Sequence, residues 1–260
     1  MVLPAQIFMA ARNGDIDLVE VYLDNPDYPG AWPKDINEHT DFGGTILMGA
    51  VSQIDSAAKL AFVWELVNRG ADLHSVVDPE SRAICVFDMA CSGVCSGISR
   101  PELFRDFVLQ WLARESGLVQ PEGSRVPPRL RIVFEVFARG QSSRPVAEVV
   151  FALVRAGSPV YDRDALERYE ARHPQFNLAQ DEHWLACKTL ILGVRAAGSW
   201  RAYARLPRKR VLRLRSLMLR GRTKDAADPI VAHVLRLPNE LCWHVLEFWR
   251  VESEVTGEVI

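Results

Sequence analysis

Between Trp184 and Lys224 the chain has no aspartate and no glutamate, although acidic residues slightly outnumber basic ones over its full length. Other absences are as informative. No apolar run approaches the roughly eighteen residues that a membrane-spanning helix needs. The opening residues, Met1-Val2-Leu3-Pro4-Ala5-Gln6, lack the charged start and apolar stretch of a secretion signal. Neither a membrane span nor a signal peptide is therefore expected. The six histidines are scattered, with no His-x-x-x-His or His-Glu-x-x-His spacing, and there is no phosphate loop or dinucleotide fingerprint. The five cysteines include no Cys-x-x-Cys pair of the kind that structural zinc sites use. An odd cysteine count without a framework points to a reducing, intracellular compartment, cytoplasmic or nuclear. No catalytic residue, cofactor or metal is assigned, and the chain reads as a non-enzyme.

What is present is an ordinary globular composition, 48% hydrophobic and 25% charged over 260 residues. A chain of this length buries a core without disulfides or metal. The acid-free stretch carries twelve basic residues: Lys188, Arg195, Arg201, Arg205, Arg208, Lys209, Arg210, Arg213, Arg215, Arg220, Arg222 and Lys224. The formal net charge is only −2, so the rest of the chain is acidic, and the split suggests a basic arm with a partner of its own.

A weak internal repeat organises the first half. Phe8-Met9-Ala10-Ala11, Leu47-Met48-Gly49-Ala50 and Phe87-Asp88-Met89-Ala90 share a pattern, and Ala10, Ala50 and Ala90 stand forty residues apart. A polar or glycine break follows each, and then a second apolar stretch. These stretches are Ile16, Leu18, Val19, Val21, Tyr22 and Leu23; Leu60, Phe62, Val63, Leu66 and Val67; and Phe104, Phe107, Val108, Trp111 and Leu112. Spacings of three and four place each set on one helical face. A fourth unit is predicted from Leu130 to Gly140 and Val146 to Ala156. Ser116 to Pro128 reads as an inserted loop.

On these residues the chain resembles the ankyrin repeat. Ala10-Ala11-Arg12-Asn13-Gly14-Asp15-Ile16 is similar to the turn between that repeat's two helices. Asp41-Phe42-Gly43-Gly44-Thr45 is similar to its hairpin and capped first helix. Asn68-Arg69-Gly70-Ala71-Asp72-Leu73 is similar to its ending. Gly14 and Gly70 suit left-handed helix ends, and Thr45 suits an N-cap. The period is stretched from the family's roughly 33 residues, and Met48-Gly49 replaces its Leu-His pair. The resemblance implies an all-α ankyrin-repeat helical solenoid of three to four degenerate repeats over 1–160. Connecting helices over 161–200 and a C-terminal helical region over 201–260 follow. In that region Trp200 to Arg222 is expected to be one basic helix, and Asp228-Pro229 is expected to start another over Ile230 to Leu235.

The last segment, Leu237-Pro238-Asn239-Glu240-Leu241-Cys242-Trp243-His244-Val245-Leu246, resembles the opening of an F-box. A shortened F-box after ankyrin repeats is the layout of poxviral ankyrin proteins. It also resembles the Leu-Pro helix of a SOCS box, whose preceding helix binds elongin. Val211-Leu212-Arg213-Leu214 has the aliphatic start of such a helix without its cysteine. Either resemblance implies docking to a ubiquitin-ligase subunit through Leu237, Pro238, Leu241, Trp243, Leu246 and Trp249. Trp243 and Trp249 lie on different sides of the helix and read as interface anchors or as core.

The basic arm likewise has two readings. In one, Arg201, Arg205, Arg208, Lys209, Arg210 and Arg213 bind an anionic partner such as nucleic acid. In the other, its leucine face packs on the repeats and its arginines are solvated or paired. Gly93-Val94-Cys95-Ser96-Gly97 has the outline of a nucleophile elbow, but it lacks the preceding strand. The Cys-Ser-Gly triplets at Cys91 and Cys95 suggest a loop of small residues. Cys85, Cys91 and Cys95, even with His74, match no common zinc spacing and read as buried free thiols. The expected function is a protein–protein interaction adaptor that recruits substrates to a ubiquitin ligase. The alternatives are a structural subunit of a large complex and a nucleic-acid-associated protein.

Overall fold

The computed structural model describes residues 2–28, 34–77, 84–114, 129–220, 232–233, 236–238, 241–242 and 245. The inserted loop expected from Ser116 to Pro128 lies outside them, as do Asp228 and Pro229.

The described residues are mostly helical. Four helical hairpins come first: α1 (Ala5–Asn13) with α2 (Ile16–Asp24), α3 (Ile46–Val51) with α4 (Ala57–Asn68), α5 (Val86–Cys95) with α6 (Pro101–Arg114), and α7 (Arg129–Phe137) with α8 (Arg144–Arg155). The tight turn of the first hairpin is encoded in two residues. Gly14 takes φ 81°, ending α1 in the left-handed region open to glycine. Asp15 then caps α2, its Oδ1 accepting from Leu18 N at 3.2 Å. Gly70 takes φ 100° after α4, and Thr45 caps α3 through Met48 N, both as the sequence predicts. Between α4 and α5 a short antiparallel pair, β1 (Val76–Val77) and β2 (Ile84–Cys85), sets Val76 opposite Cys85. Cys85 starts α5, its N–H donating to Asp88 Oδ2 at 2.8 Å.

The hairpins stack in two rows. First helices pack on one another, α1 on α3, α3 on α5 and α5 on α7; second helices do the same, α4 on α6 and α6 on α8. Small residues set the spacing of the first row. Ala10, Ala50 and Ala90 are all buried. A Cβ on Gly49 would stand 2.7 Å from Phe8 O, and one on Gly93 only 2.4 Å from Ser52 O. Backbones therefore approach where a side chain would hold them apart. This corrects the expected loop of small residues, because Cys91, Ser92 and Gly93 lie inside α5. Asn37 ties successive units together, donating to Gly70 O and accepting from Asp72 N.

Packing continues past Tyr161. Helices α9 (Arg163–Arg172) and α10 (Glu182–Ala197) follow, with α10 against α8. Tyr161, Tyr169 and Trp184 surround Phe134 of α7, with ring centroids 5.0–5.7 Å away. Such pairs add about 0.5–1.5 kcal/mol each beyond area burial. Glu170 accepts from Trp184 Nε1 at 2.7 Å and from Lys188 Nζ at 2.8 Å.

The expected single basic helix is instead two, α11 (Trp200–Ala204) and α12 (Leu206–Leu219). Pro207 has no N–H to give to the preceding turn, and the chain tightens at Arg205, whose N–H reaches back three residues to Ala202 O.

Candidate interaction surfaces

The sequence singles out the terminal segment, the basic arm and the first-helix face of the stack. In the terminal segment, Cys242 N donates to Pro238 O at 2.8 Å, one helical turn, and Cys242 is fully buried. Leu237 is half-buried and Pro238 exposed. Leu241 is 52% exposed and Val245, one turn on, 37%. The segment thus shows its cysteine to the protein and these two aliphatic residues to solvent. Trp243, Leu246 and Trp249 lie outside the described residues.

Arg215 anchors this segment. It is only 8% exposed, and its guanidinium donates to Leu237 O. Among the described residues its Nε is buried without a hydrogen-bond partner. A buried guanidinium held by one carbonyl is costly. Composition alone does not separate Arg215 from its eleven basic neighbours. Its position on the inward face of α12 with Val211, four residues earlier, was the available clue.

The basic stretch therefore divides. Lys188 pairs with Glu170, Arg195 approaches Asp162 at 3.7 Å, and Arg215 is buried. By contrast Arg201, Arg205, Lys209, Arg210 and Arg213 are exposed, and Arg208 is half-buried.

On the first-helix face, Ala5, Met9 and Asn13 of α1 and Ser92 of α5 are exposed, as are Arg131 and, just beyond α7, Arg139. Helix α3 contributes nothing, since all of Ile46–Val51 is buried. The face is polar at its α7 end and apolar near Met9 and Phe42, whose ring stands edge-on to Phe8 at 5.1 Å.

Cys85, Cys91, Cys95 and Cys187 are placed as inert groups. Cys95 ends a helix, with no strand before it of the kind a nucleophile elbow requires. Burial pushes its thiol up to about 11 and that of Cys85 to about 12. Burial likewise raises Cys91 and Cys187 well above the ordinary thiol range. A thiolate is the reactive form, so none of these four is activated. Among the described residues no group of histidine, cysteine and carboxylate side chains is arranged to hold a metal ion, and no helix is long and apolar enough to cross a membrane.

Set against known proteins, the chain matches no family model, no curated protein and no solved structure.

Proposed function

We propose that the chain is a non-catalytic adaptor, built as a degenerate ankyrin-type solenoid whose first-helix face holds one protein while the terminal segment docks another. The two-row stacking of helical hairpins supports the solenoid reading, because such arrays create extended recognition surfaces. The observation that carries the docking reading is the exposure of Leu241 and Val245 on one turn, above a buried Cys242 and an anchored Leu237. By its resemblance to an F-box or SOCS box, the docked protein is a cullin adaptor or an elongin. Function then follows from proximity, with two ligands held on one chain. Such an adaptor works inside the cell, where its thiols stay reduced.

Affinity capture with mass spectrometry tests this, comparing the intact chain with Leu241→Asp/Val245→Asp. Both positions are exposed, so the variant is expected to fold normally. Cullin adaptors or elongins should be captured by the intact chain and lost with the variant. Equal recovery with both chains, or recovery with neither, rejects the docking reading.

A further inference from the structure

The exposed cations of the basic arm are regularly spaced. Arg201, Arg205, Lys209 and Arg213 follow one another at intervals of four residues, and all four are exposed. Arg205, Lys209 and Arg213 share a line along α12, where Lys209 N donates to Arg205 O at 3.0 Å, and Arg201 stands four residues earlier on α11. Residues four apart are neighbours on a helix surface. At a rise of about 1.5 Å per residue the three charges along α12 span about 12 Å, with steps of about 6 Å. Arg210 flanks the row. Among the described residues no carboxylate pairs with any of these five. Like charges four apart destabilise a helix, so the row is a strained arrangement in the isolated chain, and a polyanion would relieve it.

We propose that this row is a binding surface for the phosphate backbone of nucleic acid, contacted without regard to base sequence. Two observations choose this ligand over an anionic membrane. A helix that lies in a membrane surface needs an apolar face free to enter it. Here the face of α12 bearing Val211 and Arg215 is buried against the protein. The apolar residues left exposed, Leu214 at 41% and Leu219 at 74%, lie about 140° apart around the helix and make no common face. Indifference to sequence follows from the neighbouring aromatics. Reading single-stranded bases calls for free aromatic faces. Trp200 packs edge-on against Phe151 at 5.1 Å, and the ring of Tyr203 lies over Gly193. The surface is thus left with charge alone. It makes no use of the terminal segment's docking face, so it stands or falls apart from the adaptor reading.

The test is fluorescence anisotropy of the full chain with a labelled 20-base-pair DNA duplex and a labelled single-stranded RNA, both of arbitrary sequence, from 50 to 200 mM KCl. Four phosphate contacts predict a slope of log K against log salt of about −3.6 on the duplex, a loss of on the order of a hundredfold across that range. The variant R201Q/R205Q/K209Q/R213Q should abolish this dependence and most of the binding. R163Q/R168Q/R172Q, which removes exposed cations of α9, should leave both unchanged. The quadruple variant removes repulsion, so its circular dichroism and Tm should match or exceed those of the parent. If it misfolds, R201Q/R205Q and K209Q/R213Q should each reduce the slope by about 1.8. No binding at 50 mM KCl, a slope unaltered by the variants, or tighter binding to phosphatidylserine vesicles than to nucleic acid would each overturn the proposal.

Discussion

Replacing Gly93 by alanine sets two opposing effects against each other, and the structure decides the sign. Gly93 lies inside α5, where alanine should gain about 1 kcal/mol from helix propensity. The added Cβ, however, would sit 2.4 Å from Ser52 O and 2.4 Å from Ser99 Oγ. Normal contact requires an opening of about 1 Å. Ser52 O belongs to backbone at the end of α3, so α5 must move off α3 as a unit. Overpacking of this kind costs about 1–3 kcal/mol. Ser99 Oγ also accepts from the buried Ile54 N at 2.9 Å, and displacing it strands that N–H at a further cost of about 1–3 kcal/mol. The net expectation is destabilisation of about 3 kcal/mol, seen as a Tm about 6–12 °C lower in a chain of this size. Ser92→Ala, on the exposed side of the same helix, carries only the propensity change and should be neutral to slightly stabilising. A Gly93→Ala protein that melts at or above the parent temperature would refute the close approach of α5 to α3.

Three further outcomes follow from the packing. Thr45→Ala removes the cap of the short, fully buried α3 and should lower unfolding free energy by about 1–2 kcal/mol in urea titrations; an unchanged midpoint would show that α3 is held by packing alone. Glu170→Ala leaves Lys188 and Trp184 Nε1 without their shared acceptor and should cost about 2–4 kcal/mol, whereas a Tm within 1–2 °C of the parent would mean that the α9–α10 contact is peripheral. Raised thiols give the pH dependence its sign. The unfolded chain ionises its cysteines near pH 8.5, but the folded chain keeps protons on Cys85, Cys91, Cys95 and Cys187. The folded state therefore binds more protons, and stability should fall as pH rises from about 8.5 towards 11, by up to about 1.4 kcal/mol per unit for each such thiol. A urea midpoint that holds or rises between pH 8 and 10 would contradict this.

Local chemistry carried much of the fold into the sequence. Gly14-Asp15, Gly70 and Thr45 act within a few residues of themselves, so their roles can be read directly. The fourth hairpin followed from its two apolar stretches and from an ending, Arg155-Ala156-Gly157, that echoes Arg69-Gly70-Ala71. Non-local features were hidden. Gly93 looked like part of a small-residue loop because its reason for being glycine, Ser52 O, lies forty-one residues away in sequence. Tyr161, Tyr169 and Trp184 fall where the repeat pattern fades, yet they pack on Phe134 and extend the stack. Arg215 was indistinguishable from its basic neighbours until the inward face of α12 was known. The row from Arg201 to Arg213 was visible in the spacing, but its lack of carboxylate partners among the described residues was not, since Lys188 and Arg195 in the same stretch have acidic partners nearby.

The adaptor reading is tested most directly by titrating the purified full chain, in separate calorimetric experiments, with a cullin-adaptor subunit that binds F-boxes and with the elongin B–C pair. The account predicts that one of the two binds with a Kd in the micromolar range or tighter, with a negative heat-capacity change from burial of Leu241 and Val245, and that Leu241→Asp/Val245→Asp abolishes the heat. Absence of binding to both at about 100 μM, a standard free energy weaker than about −5.5 kcal/mol, would contradict it.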